Sequence, residues 1–473
     1  MGIARPSRVP LAVWVIAGAV VLRGVATAAA PVIDDEAYYW LWAQRLSWGY
    51  LDHLPMIAWL IALTTRIGDG SFLIRLSPLV LGVLTTYTLF PLGRELFSPR
   101  AGMIAAVLFQ VVPVLAGAGL VATPDAPLLL CWAAALLFAW QALHGRPGRW
   151  LAAGAVVGLG LLSKVPMVLL PAGLALYLVL RAARSLRHWQ VYAAVGLAAA
   201  IFSPVLIWNA RHDWAGVNYV LSSRLSTASS AATGLTGVGK LLEEQMPFAL
   251  VLLPAYVWAL AVPLRRRGEP LTFLALTTLP ALIFPFIPAY AGAWPHGNWL
   301  APAYLSFSVV LGAAWSRPVA IMAAVNGAAI LVGLLTSLVP VLPLLPGAEE
   351  VYGWREAGAR VTEELRDLGG GAAIVTDRYQ VAAQLGYHTR GVPVTVLPCP
   401  RPASIWTRPR DVAGRPGIAV IDARWDPVVR WESHAARVEE APPLVIVSRG
   451  RTLRTFRFYR LYNLAADSRC PAE

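Results

Sequence analysis

Apolar stretches of membrane-spanning length recur along this chain, and no other feature narrows its fold as much. They lie at about 11–30, 72–92, 101–118, 124–143, 150–163, 165–180, 191–208, 246–263, 271–288, 299–315 and 318–341. A helix of about 17–25 mostly apolar residues crosses the hydrocarbon core of a bilayer. Several of these stretches are short or broken by Pro and Gly, most of all the pair flanking Lys164. The expected architecture is a polytopic α-helical membrane protein with about eleven transmembrane helices. Composition agrees, with 57% hydrophobic and 14% charged residues, against roughly 45–50% and about 25% in soluble proteins.

Charge gives the orientation. The N-terminus carries Arg5 and Arg8, and alternate loops carry Arg94 and Arg100, Arg146 and Arg149, Arg181, Arg184 and Arg187, Arg265 to Arg267, and Arg317. Cytoplasmic loops collect Arg and Lys, so these loops are read as inside. The opposite loops hold Asp34, Asp35, Glu36, Asp52, Asp125, Asp213, Glu243 and Glu244. An odd number of spans then puts the C-terminal tail outside. The small residues Ala26 to Ala30 after the first apolar run imitate a signal-peptide cleavage site, but the many spans that follow favour a membrane anchor. The net charge of +13 sits in short loop clusters, without a basic helix or aromatic-interleaved motif, which argues against nucleic-acid binding. Cys131 reads as a small core residue. Cys399 and Cys470 have the chance to pair only if the tail is extracytoplasmic.

The organisation expected is a transmembrane domain over 1–345 and a soluble domain over 346–473. In the tail, apolar runs shorten to strand length at Ala372–Thr376, Val392–Leu397, Ile418–Ile421 and Leu444–Val447, with helical patterns at Trp354–Leu368 and Gln380–Gly386. Strands alternating with helices point to a small C-terminal α/β domain. Gly369–Gly371 precedes a strand, which is the wrong side for a dinucleotide fingerprint. The first outer loop, 31–71, reads as two amphipathic helices lying in the membrane interface with Trp and Tyr at headgroup level.

Polar residues that interrupt apolar sequence mark the candidate chemistry. Asp34, Asp35 and Glu36 are consecutive carboxylates beside Tyr38; near a low-dielectric boundary one should have a raised pKa unless a cation is near, or they simply suit a helix N-terminus. Asp52-His53 precedes Pro55 and reads as a turn or as an acid–imidazole pair. Asp125, between Pro124 and Pro127, is a helix cap or a site acid. Lys164 stands within about thirty otherwise apolar residues, which is costly unless it is paired, faces a polar cavity or snorkels. The chain holds only one other lysine, Lys240. Asn209, Arg211 and His212 form a polar knot closing the seventh span, and His296 and Asn298 follow Trp294-Pro295; both groups read as substrate contacts or interfacial anchors. All of these fall on one side of the membrane, where a cavity would hold an anion beside a carboxylate base.

The ordered series DDEAYYW, WGYLDHLP, TPDAPLLL, LLSKVPMVLLP, SPVLIWNARHDW and NWLAPAYL resembles the family 39 and ArnT-like glycosyltransferases of GT-C fold. The family includes protein O-mannosyltransferases and lipid A aminoarabinose transferases. The tail segment TDRYQVAAQLGY also resembles the outer domain of bacterial members. The resemblance implies a polyprenyl-phosphate sugar donor used on the outer face. It puts the family's acidic motif on Asp35 and Glu36, its second-loop acid on Asp125 and its membrane Lys on Lys164. The family's Asp-His-Pro-Pro element appears as Asp52-His53-Leu54-Pro55, and Leu54 departs from it, which weakens a phosphate role for His53.

The expected activity is transfer of a sugar from a polyprenyl-phosphate donor to a lipid or glycan acceptor on the extracytoplasmic face, with inversion and Asp35 as general base. Lys164, His53 and Arg211 are the expected phosphate ligands. Asp52, Tyr38, Asn209, His212 and Asn298 are the expected substrate contacts. The carboxylate cluster leaves room for a divalent metal ion, although no ligand spacing demands one. The rival readings are a protein O-mannosyltransferase and a transporter or flippase of lipid-linked sugars. A transporter should show repeat symmetry and mid-membrane polar residues; the polar groups here cluster at one face. The expected location is the bacterial cell membrane.

Overall fold

The structure is a computed structural model, and it describes residues 11–224, 233–293, 296–338, 351–397, 407–425, 430–448 and 450–466. Two compact units emerge, interleaved in sequence. One comprises Met1–Ala28, His53–Ile57 and Arg75–Leu335; the other comprises Ala29–Asp52, Ala58–Ile74 and Thr336–Glu473. Cys399 and Cys470, and with them the pairing considered above, lie outside the described residues.

The helices in chain order are α1 (Leu11–Ala29), α2 (Asp34–Ala43), α3 (Met56–Thr64), α4 (Ser71–Leu96), α5 (Pro99–Val111), α6 (Pro113–Ala118), α7 (Asp125–Leu143), α8 (Arg149–Leu161), α9 (Leu169–Arg181), α10 (Trp189–Arg211) and α11 (Ala215–Tyr219). Then come α12 (Leu235–Ala249), α13 (Leu253–Arg265), α14 (Glu269–Ile283), α15 (Phe286–Ala291), α16 (Ala301–Ala313), α17 (Arg317–Leu338), α18 (Trp354–Asp367) and α19 (Tyr379–Thr389). Among the described residues, seven helical segments are long and apolar enough to cross a membrane, and four further apolar helices are shorter. The shorter ones include the pair on either side of Lys164, Arg149–Leu161 and Val165–Arg181.

The helical unit is built on α7 and α16, which are buried along almost their whole lengths. Lipid provides no hydrophobic drive between helices, so close backbone approach must hold them together. That approach is visible where α8 meets α10 and α9 meets α14. A Cβ added at Gly154 would strike the Ala194 backbone, and one at Gly173 would strike the Thr277 carbonyl.

The second unit contains a five-stranded sheet: β1 (Ala373–Thr376), β2 (Val394–Val396), β3 (Gly417–Asp422), β4 (Ala435–Ser448) and β5 (Arg451–Leu464), in the order β2-β1-β3-β5-β4. The pairs β2-β1 and β1-β3 are parallel, whereas β3-β5 and β5-β4 are antiparallel. The short parallel strands are wholly buried, as parallel strands covered on both faces must be.

The first-loop helix α2 differs from the interfacial helix its sequence implies. Tyr38, Tyr39, Trp40 and Trp42 are all buried. Their partners come from α19: Tyr379 packs 5.1 Å from Tyr38, and Tyr387 packs edge-on to Trp40 at 5.2 Å. Gln384 donates to the Val32 carbonyl and to Asp34 Oδ1, both at 2.9 Å. The Tyr387 hydroxyl donates to the Asp69 carbonyl at 2.8 Å. Aromatic residues read locally as headgroup anchors are thus core residues, because a helix more than 330 positions later supplies the surface that covers them.

Candidate functional site

Lys164 lies in a break between two helices. Pro166 disfavours helical geometry at the residue before it. The chain leaves α8 at Leu161, passes through Lys164 in an extended conformation (φ −156°, ψ 139°), and turns through Val165–Val168 into α9. Gly160 lets this return fit, since a Cβ there would meet the Met167 sulfur at 2.7 Å. Interrupted backbone among apolar helices is tolerated where protein buries it.

The ammonium has a partner. Lys164 Nζ donates to Asp125 Oδ1 at 2.7 Å, and the two side chains are only 10% and 9% exposed. Asp125 opens α7, where the helix dipole favours an acid. Its other oxygen accepts from Asn298 Nδ2 at 3.0 Å and faces Thr123 Oγ1 at 3.5 Å. Three of the sequence candidates, Asp125, Lys164 and Asn298, therefore form one constellation in the helical unit, although they are far apart in sequence.

Two residues not singled out as site candidates position Asn298. Glu244 Oε2 accepts from the Gly297 amide at 2.6 Å. Gln245, nearly fully buried on α12, accepts from the Tyr304 hydroxyl at 3.2 Å. Gly297 lies flush against this helix, since a Cβ would meet the Phe248 ring at 2.5 Å and Gln245 Nε2 at 3.1 Å. The signal was present in the sequence: Glu243-Glu244-Gln245 interrupts apolar sequence as Lys164 does. Asn298 Oδ1 is buried and takes no hydrogen bond among the described residues. It is an acceptor beside the Lys164–Asp125 pair, and a buried acceptor of this kind is one a ligand hydroxyl can satisfy.

In the second unit the acidic motif divides into three environments. Asp35 is exposed, Asp34 is half-buried and Glu36 is fully buried. Glu36 Oε2 accepts from the Ile33 amide at 3.1 Å, closing the first turn of α2. Burial pushes the Asp34 carboxyl up to about 6, although Gln384, Arg454 and Arg424 favour its ionised form; Asp35 adds to the rise. The raised pKa expected of one of these carboxylates thus falls on Asp34. On the same helix the Tyr38 hydroxyl donates to Asp52 Oδ2 at 3.1 Å. Burial and the Asp52 charge push the phenol well above its ordinary value, so Tyr38 remains a neutral donor.

The polar knot after the seventh expected span is tied locally. Asn209 is buried, donates to the Val205 carbonyl at 3.1 Å and accepts from the Val217 amide at 3.3 Å. His212 stacks on Trp208 at 4.2 Å and its Nδ1 lies 2.7 Å from the Trp208 carbonyl. Arg211 is exposed at the end of α10, and His53 is half-buried. Among the described residues, no three His, Cys, Asp or Glu side chains converge as ligands for a metal ion.

The fold is that of membrane glycosyltransferases of GT-C type. The relatives are specific. A family model described as dolichyl-phosphate-mannose-protein mannosyltransferase matches residues 52–208. The chain is 26% identical over 402 residues to the lipid A galacturonosyltransferase RgtD of Rhizobium johnstonii, covering 80% of this chain and 84% of that protein. In fold it is similar to ArnT from Cupriavidus metallidurans bound to undecaprenyl phosphate, with a TM-score of 0.69 and 15% identity over 98% of this chain and 99% of that one. It is also similar to the mycobacterial arabinofuranosyltransferase AftD, with a TM-score of 0.54 and 13% identity over 96% of this chain and 40% of that one. The resemblance to family 39 and ArnT-like transferases is borne out.

Proposed function

We propose that the chain transfers a sugar from a polyprenyl-phosphate donor to a lipid or glycan acceptor on the extracytoplasmic face of the bacterial cell membrane, with inversion at the anomeric carbon. The observation that carries this reading is the buried Lys164–Asp125–Asn298 constellation at a helix break. It places a cation and an unsatisfied acceptor among apolar helices, which suits a lipid-linked phosphate and its sugar. The relative named for lipid A modification favours a lipid acceptor over a protein one.

In this reaction the acceptor oxygen attacks the anomeric carbon, the bond from that carbon to the phosphate oxygen breaks, and the polyprenyl phosphate departs as an anion. No acid is required to protonate such a leaving group. Electrostatic stabilisation of the phosphate is the larger catalytic contribution, and Lys164 is assigned to it, with His53 and Arg211 as further cations. Asp125 holds the ammonium in place. The acceptor proton goes to a carboxylate. Asp125 already receives Lys164 and Asn298 on its two oxygens, and Glu36 is buried and bonded to backbone. Both facts support Asp35, which is exposed at the start of α2. Tyr38, Asp52, Asn209, His212 and Asn298 are assigned to substrate contact or to holding its binding residues.

Asp35→Asn keeps the shape and removes the base. We expect normal binding of undecaprenyl phosphate and a turnover lower by about 10²–10⁴-fold, the usual worth of general base catalysis. Glu36→Gln should cost less, because the amide oxygen can still accept from Ile33. Near-normal turnover in Asp35→Asn would refute the assignment. The reaction itself is read by mass spectrometry of envelope lipids and glycoproteins from a deletion strain beside its parent, where loss of a sugar from neither class would refute the transferase reading.

A further inference from the structure

Asp125 and Asn298 share a hydrogen bond, and the segment that positions each of them is preceded or gripped by a broken helix. The first break lies between α5 and α6. Val112 is extended there (φ −94°, ψ 117°) and the helix resumes at Pro113. Proline contributes no amide to a helical ladder. The Leu115 amide turns to the Val112 carbonyl at 3.0 Å, so the Val111 carbonyl loses the partner that a continuous helix would give it. From α6, hydrogen-bonded turns over Gly117–Thr123 lead to Asp125.

The second break ends α12. Leu250 takes φ 48° and ψ −133°, an outlier for a bulky residue that persists only where the surroundings hold it. The Leu253 amide donates to the Leu250 carbonyl, which releases the Ala249 carbonyl as Pro113 releases that of Val111. The preceding turns of α12 carry Glu244, Gln245 and Phe248, which grip the backbone at Gly297 beside Asn298.

One side chain takes up both released carbonyls. Asn326 Nδ2 donates to the Val111 carbonyl at 3.1 Å and to the Ala249 carbonyl at 2.8 Å. The two hydrogens of one amide nitrogen match this pair, and a reversed amide would set oxygen against two oxygens. On α17, Ile321, Val325 and Val332 are exposed apolar residues, whereas Asn326 is fully buried. Its neighbour Gly327 lies close to the first break, since a Cβ there would meet Val111 Cγ1 at 3.2 Å. Side chains of neighbouring helices satisfy the backbone that a break sets free within a membrane, and a polar residue kept inside such a span marks function by default.

We propose that Asn326 is a positioning residue for the sugar transfer: by holding both breaks it fixes Asp125 against Asn298, and through Asp125 it fixes the Lys164 ammonium. Asn326 touches neither the donor nor the reacting atoms. Without its amide two buried carbonyls lack donors, and either break must shift to find one, which moves Asp125 or Asn298. The role rests on the transferase reading of the Lys164 site.

The test uses the full chain in nanodiscs as wild type, N326L, N326Q, N298A and the double variant. Hydrogen exchange read by mass spectrometry should rise in N326L over residues 113–125 and 297–301, while α10 exchanges as in wild type; general destabilisation would raise α10 as well. N326L should bind undecaprenyl phosphate at least about tenfold more weakly, within the cost of misplacing a site from a distance. N326Q keeps both donors and should recover part of that loss. In the N298A background the change to leucine should cost less than it does in wild type, because the two residues act on one hydrogen bond. Should the leucine variant not fold, N326S is read for the same two quantities. Unchanged exchange at either segment, wild-type affinity for undecaprenyl phosphate, or a full additional loss in the N298A background would each overturn the proposal. Loosening of both segments by N326L, in a chain whose wild type binds no undecaprenyl phosphate, would fault the transferase reading and leave the clamp on Asp125 and Asn298 standing.

Discussion

The Lys164–Asp125 pair makes a quantitative test of how this helical unit tolerates charge. The ions are 2.7 Å apart and each is about nine-tenths buried. At an effective dielectric constant of about 20 their attraction is on the order of 6 kcal/mol, and desolvation removes several kcal/mol for each ion. The pair is therefore near balance as a unit, while either member alone is a buried charge without its counter-ion. Asp125→Leu or Lys164→Met should each destabilise the protein by about 3–5 kcal/mol. The double variant should lose much less than the sum, giving a coupling energy of at least about 2 kcal/mol. Unfolding in mixed detergent micelles, followed by tryptophan fluorescence, reads the four corners of the cycle. The double variant should recover stability without recovering affinity for undecaprenyl phosphate, because the phosphate would have lost its cation. Additive losses would show that the ions do not depend on one another and would refute the reasoning. Recovery of donor affinity together with stability would remove Lys164 from the phosphate.

Other outcomes follow from single positions. Asp34 has its folded pKa raised from 3.8 to about 6 by burial. The folded state therefore binds the extra proton, and the stability associated with it is present at low pH and lost as pH rises through about 6. Asp34→Asn should leave stability near pH 4 little changed and raise it relative to wild type above pH 6, as measured by paired unfolding curves; a difference constant with pH would refute this. Gly173→Ala should cost more than about 2 kcal/mol, because the new methyl meets the Thr277 backbone, which cannot step aside without parting α9 from α14. Gly196→Ala, with nothing within 4 Å of the new Cβ, is the control, and equal stability of the two variants would contradict the packing described. For topology, alkaline phosphatase fused after residue 466 should be active and a cytoplasmic reporter silent; the reverse would overturn the orientation drawn from the basic loops.

The sequence by itself determined the membrane class, because span-length apolar runs have few other ways to satisfy their backbone. It also marked Lys164, Asp125 and the acidic motif, because each is an expensive interruption of apolar sequence and so stands out locally. It located most of the sheet domain, but not β5, where Arg recurs at every third position among Leu, Phe and Tyr over Arg451–Leu464. Four arginines break the segment, one of them the buried Arg454, so a search for unbroken apolar runs passes over it. Tertiary structure decided the rest. Only folding joined Lys164 to Asp125 and Asn298, since hydrogen-bond partners 39 and 173 residues apart leave no local pattern. Only folding gave the three acids their different environments, because solvent exposure separates Asp35 from Glu36 although they are adjacent. It also grouped residues 29–52 and 58–74 with the C-terminal sheet: an aromatic helix reads the same whether lipid or α19 covers it, and which one does so is settled by contacts between residues hundreds of positions apart.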